Sequence, residues 1–236
     1  MKVAQTNHGR VCLCVVCDGM GGLANGELAS ATVIREFDKW FRKDLPAMLE
    51  MPVFPVEELR LQWDNLVLDQ NKKLADYASS TGTRMGTTVV AFLIVGENYY
   101  IMNIGDSRAY MITDAIYQLT KDQTYVQFEM DAGRMTWEEA QVHPQRNVLL
   151  QCIGASEQIN PDYFIGQANP DTTFLLCSDG FRHLISPDEI YEKLKPEILD
   201  NEDTMLQNAI SLIELNKTRK EVDNISVAVI RTCREG

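Results

Sequence analysis

Apolar positions along the 236 residues follow two periods, one of two residues and one near 3.6. Short apolar runs read as strands at 2–6 and 11–17, joined by a turn at Asn7-His8-Gly9-Arg10. Leu28, Ala31, Ile34, Phe37 and Phe41 then recur at helical spacing, with Pro46 beyond the end. A second helix follows Pro55, with Leu59, Trp63, Leu66, Gln70, Leu74 and Tyr77 along one face. Strands crowd at 87–95, 99–104, 108–113 and 116–119, with turn signals at Gly96-Glu97-Asn98 and Thr113-Asp114. Two short helices, near 123–132 and 137–142, bracket Gly133. Strands at 159–165 and 173–177, helices at 188–195 and 202–216 and a last strand at 224–231 complete the pattern.

Hairpin-spaced strands with helices grouped in sequence predict an α+β fold of mainly antiparallel sheets. The long amphipathic helices each need a sheet face to cover, so two sheets packed together with helices outside is the expected sandwich. No repeat, low-complexity tract or linker interrupts the chain, which predicts a single domain over 1–236. Trp40, Phe41, Trp63 and Trp137 are assigned to helix packing.

Composition changes this picture little, at 45% apolar and 24% charged residues. Charge changes it more. With 22 Lys and Arg against 34 Asp and Glu, the net charge of −12 argues against nucleic acid or an anionic membrane as partner. The longest apolar runs, Val11–Cys17 and Val89–Val95, are too short to span a bilayer, and the first residues lack a signal-peptide core. A cytoplasmic location is expected. Cys14-Val-Val-Cys17 spells C-x-x-C, but strand alternation puts the two thiols on opposite faces, so buried reduced cysteines are predicted rather than a zinc site.

The candidate chemistry lies in acidic residues at strand mouths. Cys17-Asp18-Gly19-Met20-Gly21-Gly22, Ser178-Asp179-Gly180 and Asp223-Asn224 each adjoin an apolar, strand-like run. A lone Asp-Gly is usually a turn. Several such mouths brought together would form a cage of oxygen ligands, as hard divalent cations require. The set is also ordered: VCDGMGG, GELAS at 26–30, GTT at 86–88, NIGDSRAY at 103–110, LT-x-D at 119–122, HPQRN at 143–147, LLCSDG at 175–180 and DNISV at 223–227.

This series resembles the protein phosphatase 2C family of metal-dependent Ser/Thr phosphatases, the bacterial branch most closely, from about Val11 to Ile230. The resemblance implies a four-layer αββα sandwich with two principal Mn²⁺ or Mg²⁺ ions, and a third ion in bacterial members. It implies that Asp18 bridges the two principal ions, that the Gly19 carbonyl binds one, and that Asp179 and Asp223 complete the other site. Asp106 matches the residue that helps Asp179 hold the third ion, and about 122–147 matches a flap beside the active site. The implied reaction is hydrolysis of phosphoserine and phosphothreonine in proteins, the substrates of a Ser/Thr kinase, by a metal-bridged hydroxide. No side chain serves as nucleophile, and no substrate-binding residue is assigned.

The chain also departs from the family pattern. Met20 stands where many eukaryotic relatives carry a His proposed as general acid, and a thioether cannot donate a proton. Gln123 stands at a place that is often His, and His143 is assigned a structural part. The family's opening Arg…Asn-Glu/Gln-Asp segment, with its phosphate-gripping Arg and an acidic metal ligand, has no counterpart before Met1-Lys2-Val3. Three explanations stand: an assigned start that omits upstream residues, a shortened phosphatase, or a pseudophosphatase acting as a binding module. A hydrolase of small phosphorylated metabolites is a further alternative. An uncovered sheet edge beside 2–6 predicts a tendency to dimerise.

Overall fold

The structure is a computed structural model that describes residues 1–6, 8–21 and 23–233. Asn7 of the predicted first turn and Gly22 of the glycine pair lie outside the described residues. Strands β1 (Lys2–Thr6), β2 (Gly9–Val16), β5 (Val89–Val95), β6 (Asn98–Ile104) and β9 (Asp162–Gln167) form one antiparallel sheet in the order β1-β2-β5-β6-β9. A second antiparallel sheet runs β11-β10-β7-β8, from β7 (Arg108–Ile112), β8 (Ile116–Gln118), β10 (Thr172–Cys177) and β11 (Val227–Thr232). The two-residue strands β3 (Gly19–Met20) and β4 (Gly86–Thr87) pair separately.

Strand alternation explains the layers. In β2, Val11 and Leu13 face helices α1 (Leu23–Lys43) and α3 (Val56–Thr81), while Cys12, Cys14 and Val16 face the second sheet. In β5 the same division separates Val89, Ala91 and Leu93 from Val90, Phe92 and Ile94. Both faces of these strands are buried, so they read as continuous apolar runs. Between the sheets, Phe92 and Phe174 meet with ring centroids 4.8 Å apart. Beyond the second sheet, Leu175 and Cys177 pack on α7 (Pro187–Leu194) and α8 (Glu202–Thr218). The result is the expected α+β sandwich of helices, sheet, sheet and helices.

Several expectations need correction. The buried stripe of α1 is Ala29, Val33, Phe37 and Trp40, whereas Leu28 and Ile34 are exposed. Two stripes share this helix, and the one carrying the tryptophan packs inward, with Trp40 and Phe37 edge-on to Trp63 at 5.5 and 5.8 Å. Trp137 does not pack a helix into the core. It starts the six-residue helix α5 (Trp137–Val142) and is 64% exposed. The predicted strand 87–95 breaks at Thr88, and the last strand begins at Val227, because Asp223 to Ser226 are irregular, with a bend at Asp223. The short helix α2 (Leu45–Leu49) was not anticipated.

The flap-like segment contains α4 (Tyr125–Asp131) and α5. Helix α5 opens with a capping box: Thr136 Oγ1 accepts from Glu139 N–H (3.3 Å) and Glu139 Oε2 accepts from Thr136 N–H (2.8 Å). Thr136→Ala is expected to cost about 1 kcal/mol of local helix stability. Faster amide exchange across 137–142, with little change in the global denaturation midpoint, is the expected reading.

All five cysteines in or beside strand interiors are buried, and Cys233 is exposed. Cys14 and Cys17 belong to different cores, so the C-x-x-C string cannot chelate one ion. Burial raises the Cys14 and Cys177 thiols to about 12 and leaves them protonated.

Candidate active site

The chain leaves β2 through Cys17 and Asp18 and turns into β3. The backbone at Asp18 is fixed by the two threonines of the GTT motif. Its N–H donates to Thr88 Oγ1 (3.0 Å), and its carbonyl accepts from Thr88 N–H (2.9 Å) and Thr87 Oγ1 (3.0 Å). Thr88 Oγ1 also meets Ser107 Oγ at 2.8 Å, next to Asp106. The GTT and GDSR motifs therefore pin Asp18 relative to Asp106. Gly19 lies against Gly26 of α1 so closely that a Cβ on either residue would overlap the other's backbone. That approach explains the glycine of the GELAS element.

Asp179 opens the short helix α6 (Asp179–Arg182), which the sequence pattern did not predict. Its Oδ1 accepts from Gly180 N–H at 2.7 Å. Asp223 lies in the turn between α8 and β11, with Oδ1 accepting from Asn224 N–H at 2.8 Å. Ser178 ties the two segments together: its N–H donates to Ser226 O (3.0 Å) and its Oγ accepts from Ser226 N–H (3.0 Å). A Cβ on Gly180 would stand 2.5 Å from Asn224 O and 3.2 Å from Asp223 Cβ, so only glycine allows this packing.

These carboxylates act on one another. Burial pushes the Asp18 carboxyl up to about 8, helped by the charge of Asp179 and a hydrogen bond to it, then by Asp223 and Asp106. Among the described residues, no cation is one of the main influences on Asp18. Asp106 is pushed up to about 6 by burial and Asp179, against the pull of Arg182. Among the described residues, no group of three or more His, Cys, Asp or Glu side chains is placed so that it could hold a metal ion. The arrangement is a like-charge cluster of oxygen donors in which Asp179 is the neighbour that acts most strongly on Asp18. Excess negative charge, offset only in part by Arg182, with only oxygen ligands fits a hard divalent cation such as Mg²⁺ or Mn²⁺, not zinc.

A cleft of ≈ 540 Å³ opens beside the cluster, with Asp106, Asp179 and Asp223 on one wall and α4 and α5 on the other. The root of the flap-like segment is held by Asp122, whose Oδ1 and Oδ2 accept from Arg108 Nε and Nη2, both at 2.7 Å. Arg182 Nη2 reaches the Asp106 carbonyl at 2.9 Å and Asp122 Oδ2 at 3.3 Å. The same segment is closed at its base where Leu150 N–H donates to Gln123 O (2.8 Å) and Tyr125 N–H to Val148 O (2.8 Å). Gln123 is structural: its Oε1 accepts from Gly105 N–H at 2.8 Å and its Nε2 donates to Asp162 at 2.9 Å. His143 sits at the exposed end of α5, where its Nδ1 accepts from Gln145 N–H at 3.1 Å.

The Arg108–Asp122 contact joins two motifs, GDSR and LT-x-D, that are 14 residues apart. A signal was present, because the β7–β8 hairpin pairs Tyr110 with Gln118 and so carries Asp122 back towards Arg108. Arg182, His183 and Glu221 were missed, and no spacing marks them.

The protein phosphatase 2C family model matches residues 2–215. The serine/threonine phosphatase stp of Listeria innocua is 32% identical over 220 residues, covering 92% of this chain and 82% of that protein. The structure of the S. agalactiae serine/threonine phosphatase superposes with a TM-score of 0.82 at 29% identity, covering 98% of this chain and 91% of that one. The catalytic domain of the serine/threonine phosphatase PstP in complex with two manganese ions gives 0.73 at 30% identity, over 99% and 91%. With the acidic cluster at one end of an αββα sandwich and a family match across most of its length, this chain belongs to the protein phosphatase 2C family.

Proposed function

We propose that this chain is a metal-dependent phosphoprotein phosphatase that hydrolyses phosphoserine and phosphothreonine, with Asp18, Gly19, Asp106, Asp179 and Asp223 as its metal-binding residues. The observation that carries the reading is the meeting of Asp18 with Asp179, Asp223 and Asp106, a cluster of acidic groups in which Arg182 offsets charge at Asp106 alone among the four, in a chain of the protein phosphatase 2C family. Bound divalent cations would supply a lowered pKa for the attacking water and neutralise the phosphoryl oxygens. Asp18 and Asp179 would hold the ions between two separate strand mouths, and Asp223 would add a ligand from the β11 turn. The threonine pair and Ser178 keep these three backbones in register. Residues 122–147 form the flap of a single catalytic domain, rooted by the Arg108–Asp122 pair and walling the cleft that receives the phosphopeptide.

The partners proposed are phosphorylated substrates of a Ser/Thr kinase. No described helix is long and apolar enough to cross a membrane, which supports the cytoplasmic reading. β1 is the edge of its sheet, with Val3 exposed, and this supports pairing of two copies through that edge. The test is hydrolysis of a phosphothreonine peptide and of a sugar phosphate with Mn²⁺ and with EDTA. Mn²⁺-dependent turnover of the peptide is expected. Preference for the sugar phosphate would overturn the substrate class, and turnover in EDTA would overturn the metal dependence.

A further inference from the structure

Glu221 is a buried carboxylate that the reaction as described does not use, two residues before Asp223. Its side chain is only 3% exposed. Oε1 accepts from two successive backbone groups, Val222 N–H at 2.8 Å and Asp223 N–H at 3.0 Å. Oε2 accepts from His183 Nδ1–H at 3.1 Å. Burial pushes the carboxyl up, but the Asp223 and Val222 N–H groups and His183 outweigh that and hold it below its usual range. Glu221 N–H donates to Asn216 O at 3.0 Å, which anchors the residue to the end of α8. Asn216 is fully buried, and its Nδ2 donates to Phe181 O at 2.7 Å, tying α8 to α6.

His183 follows α6 directly and lies one helical turn after Asp179. The Glu221–His183 pair therefore joins the helix that carries Asp179 to the turn that carries Asp223. Ser178 joins the same two segments through Ser226, and Gly180 packs against Asn224 and Asp223. Asp179 and Asp223 are thus braced by separate contacts.

We propose that Glu221 is a positioning residue that sets the separation of Asp179 and Asp223, with His183 as the strut that aims it. The inference rests on the metal-binding reading of those two aspartates. Glu221 itself supplies no ligand. Its carboxylate fixes the orientation of the peptide unit that presents Asp223, and a buried acceptor serving two N–H groups leaves that unit little freedom. Without it, the N–H groups of Val222 and Asp223 turn to solvent, the turn relaxes, and the entropy of re-ordering Asp223 is charged against each ion bound.

The test is direct Mn²⁺ binding, followed by the loss of the free-ion signal in electron paramagnetic resonance, on wild type, Glu221→Ala, Glu221→Gln and His183→Ala. Glu221→Ala is expected to weaken Mn²⁺ binding by about tenfold or more. Glu221→Gln keeps an acceptor oxygen for both N–H groups and offers its amide to the other tautomer of His183, so binding is expected within about threefold of wild type. His183→Ala is expected to lie between them. A melting temperature taken for each variant in EDTA separates loss of fold from loss of ligand geometry. Wild-type affinity in Glu221→Ala overturns the inference while leaving the metal reading standing. Equal loss in Glu221→Gln overturns it in favour of a charge effect. Absence of Mn²⁺ binding in the wild type overturns both readings.

Discussion

Replacing Asp18 by alanine is expected to lower Mn²⁺-dependent hydrolysis of p-nitrophenyl phosphate by about a thousandfold, with Asp179→Asn close behind. The size follows from position. Asp18 is the carboxylate on which Asp179, Asp223 and Asp106 all act, so its loss removes the group shared by the whole cluster. The fold is expected to survive, because the Asp18 carboxylate makes no ion pair with the described residues and the Thr87 and Thr88 contacts use only its backbone. Activity measured at saturating Mn²⁺ separates weaker metal binding from lost chemistry. Near-wild-type turnover in both variants would sink the assignment of these residues.

The metal-free protein is expected to lose stability as pH rises from about 5 to about 8.5. Asp18 has an ordinary value of 3.8 when unfolded and about 8 in the folded protein, and Asp106 rises to about 6. Across that window the folded state holds more protons than the unfolded one, so raising pH favours unfolding. The contribution is complete below about 4 and is lost as pH passes through 8. Its size between pH 5 and 8.5 is on the order of 4 kcal/mol for Asp18. Urea midpoints in EDTA at pH 5 and 8.5 measure it, and Asp18→Asn is expected to flatten the dependence. Saturating Mn²⁺ is expected to restore stability at the alkaline end by binding only the folded state. A midpoint in EDTA that does not fall over this range would contradict the clustering of the carboxylates.

Much of the architecture was legible in the chain. The alternation of Val11, Leu13 against Cys12, Cys14 encodes a strand with two buried faces, and the structure places those residues in two different cores. The order of motifs identified the family. What the pattern could not supply is side-chain geometry between distant segments. The stripe of α1 that packs inward depends on Trp63 from another helix. Trp137 is apolar, yet a six-residue helix on the cleft rim offers it no core. Glu221 and His183 lie 38 residues apart, and their pairing depends on how α8 docks beside α6. Local spacing carries no trace of such a contact.

The distribution of thiols gives this protein a built-in reporter. With five cysteines shielded and protonated and Cys233 alone open to solvent, a maleimide dye should attach at one point on the native molecule. That point follows the last residue of β11, about 20 Å along the strand from the end that adjoins Asp223. The other five sulfhydryls should react only on unfolding, so counting reactive groups over time would time the opening of the three cores that hold Cys17, Cys12 with Cys14, and Cys177.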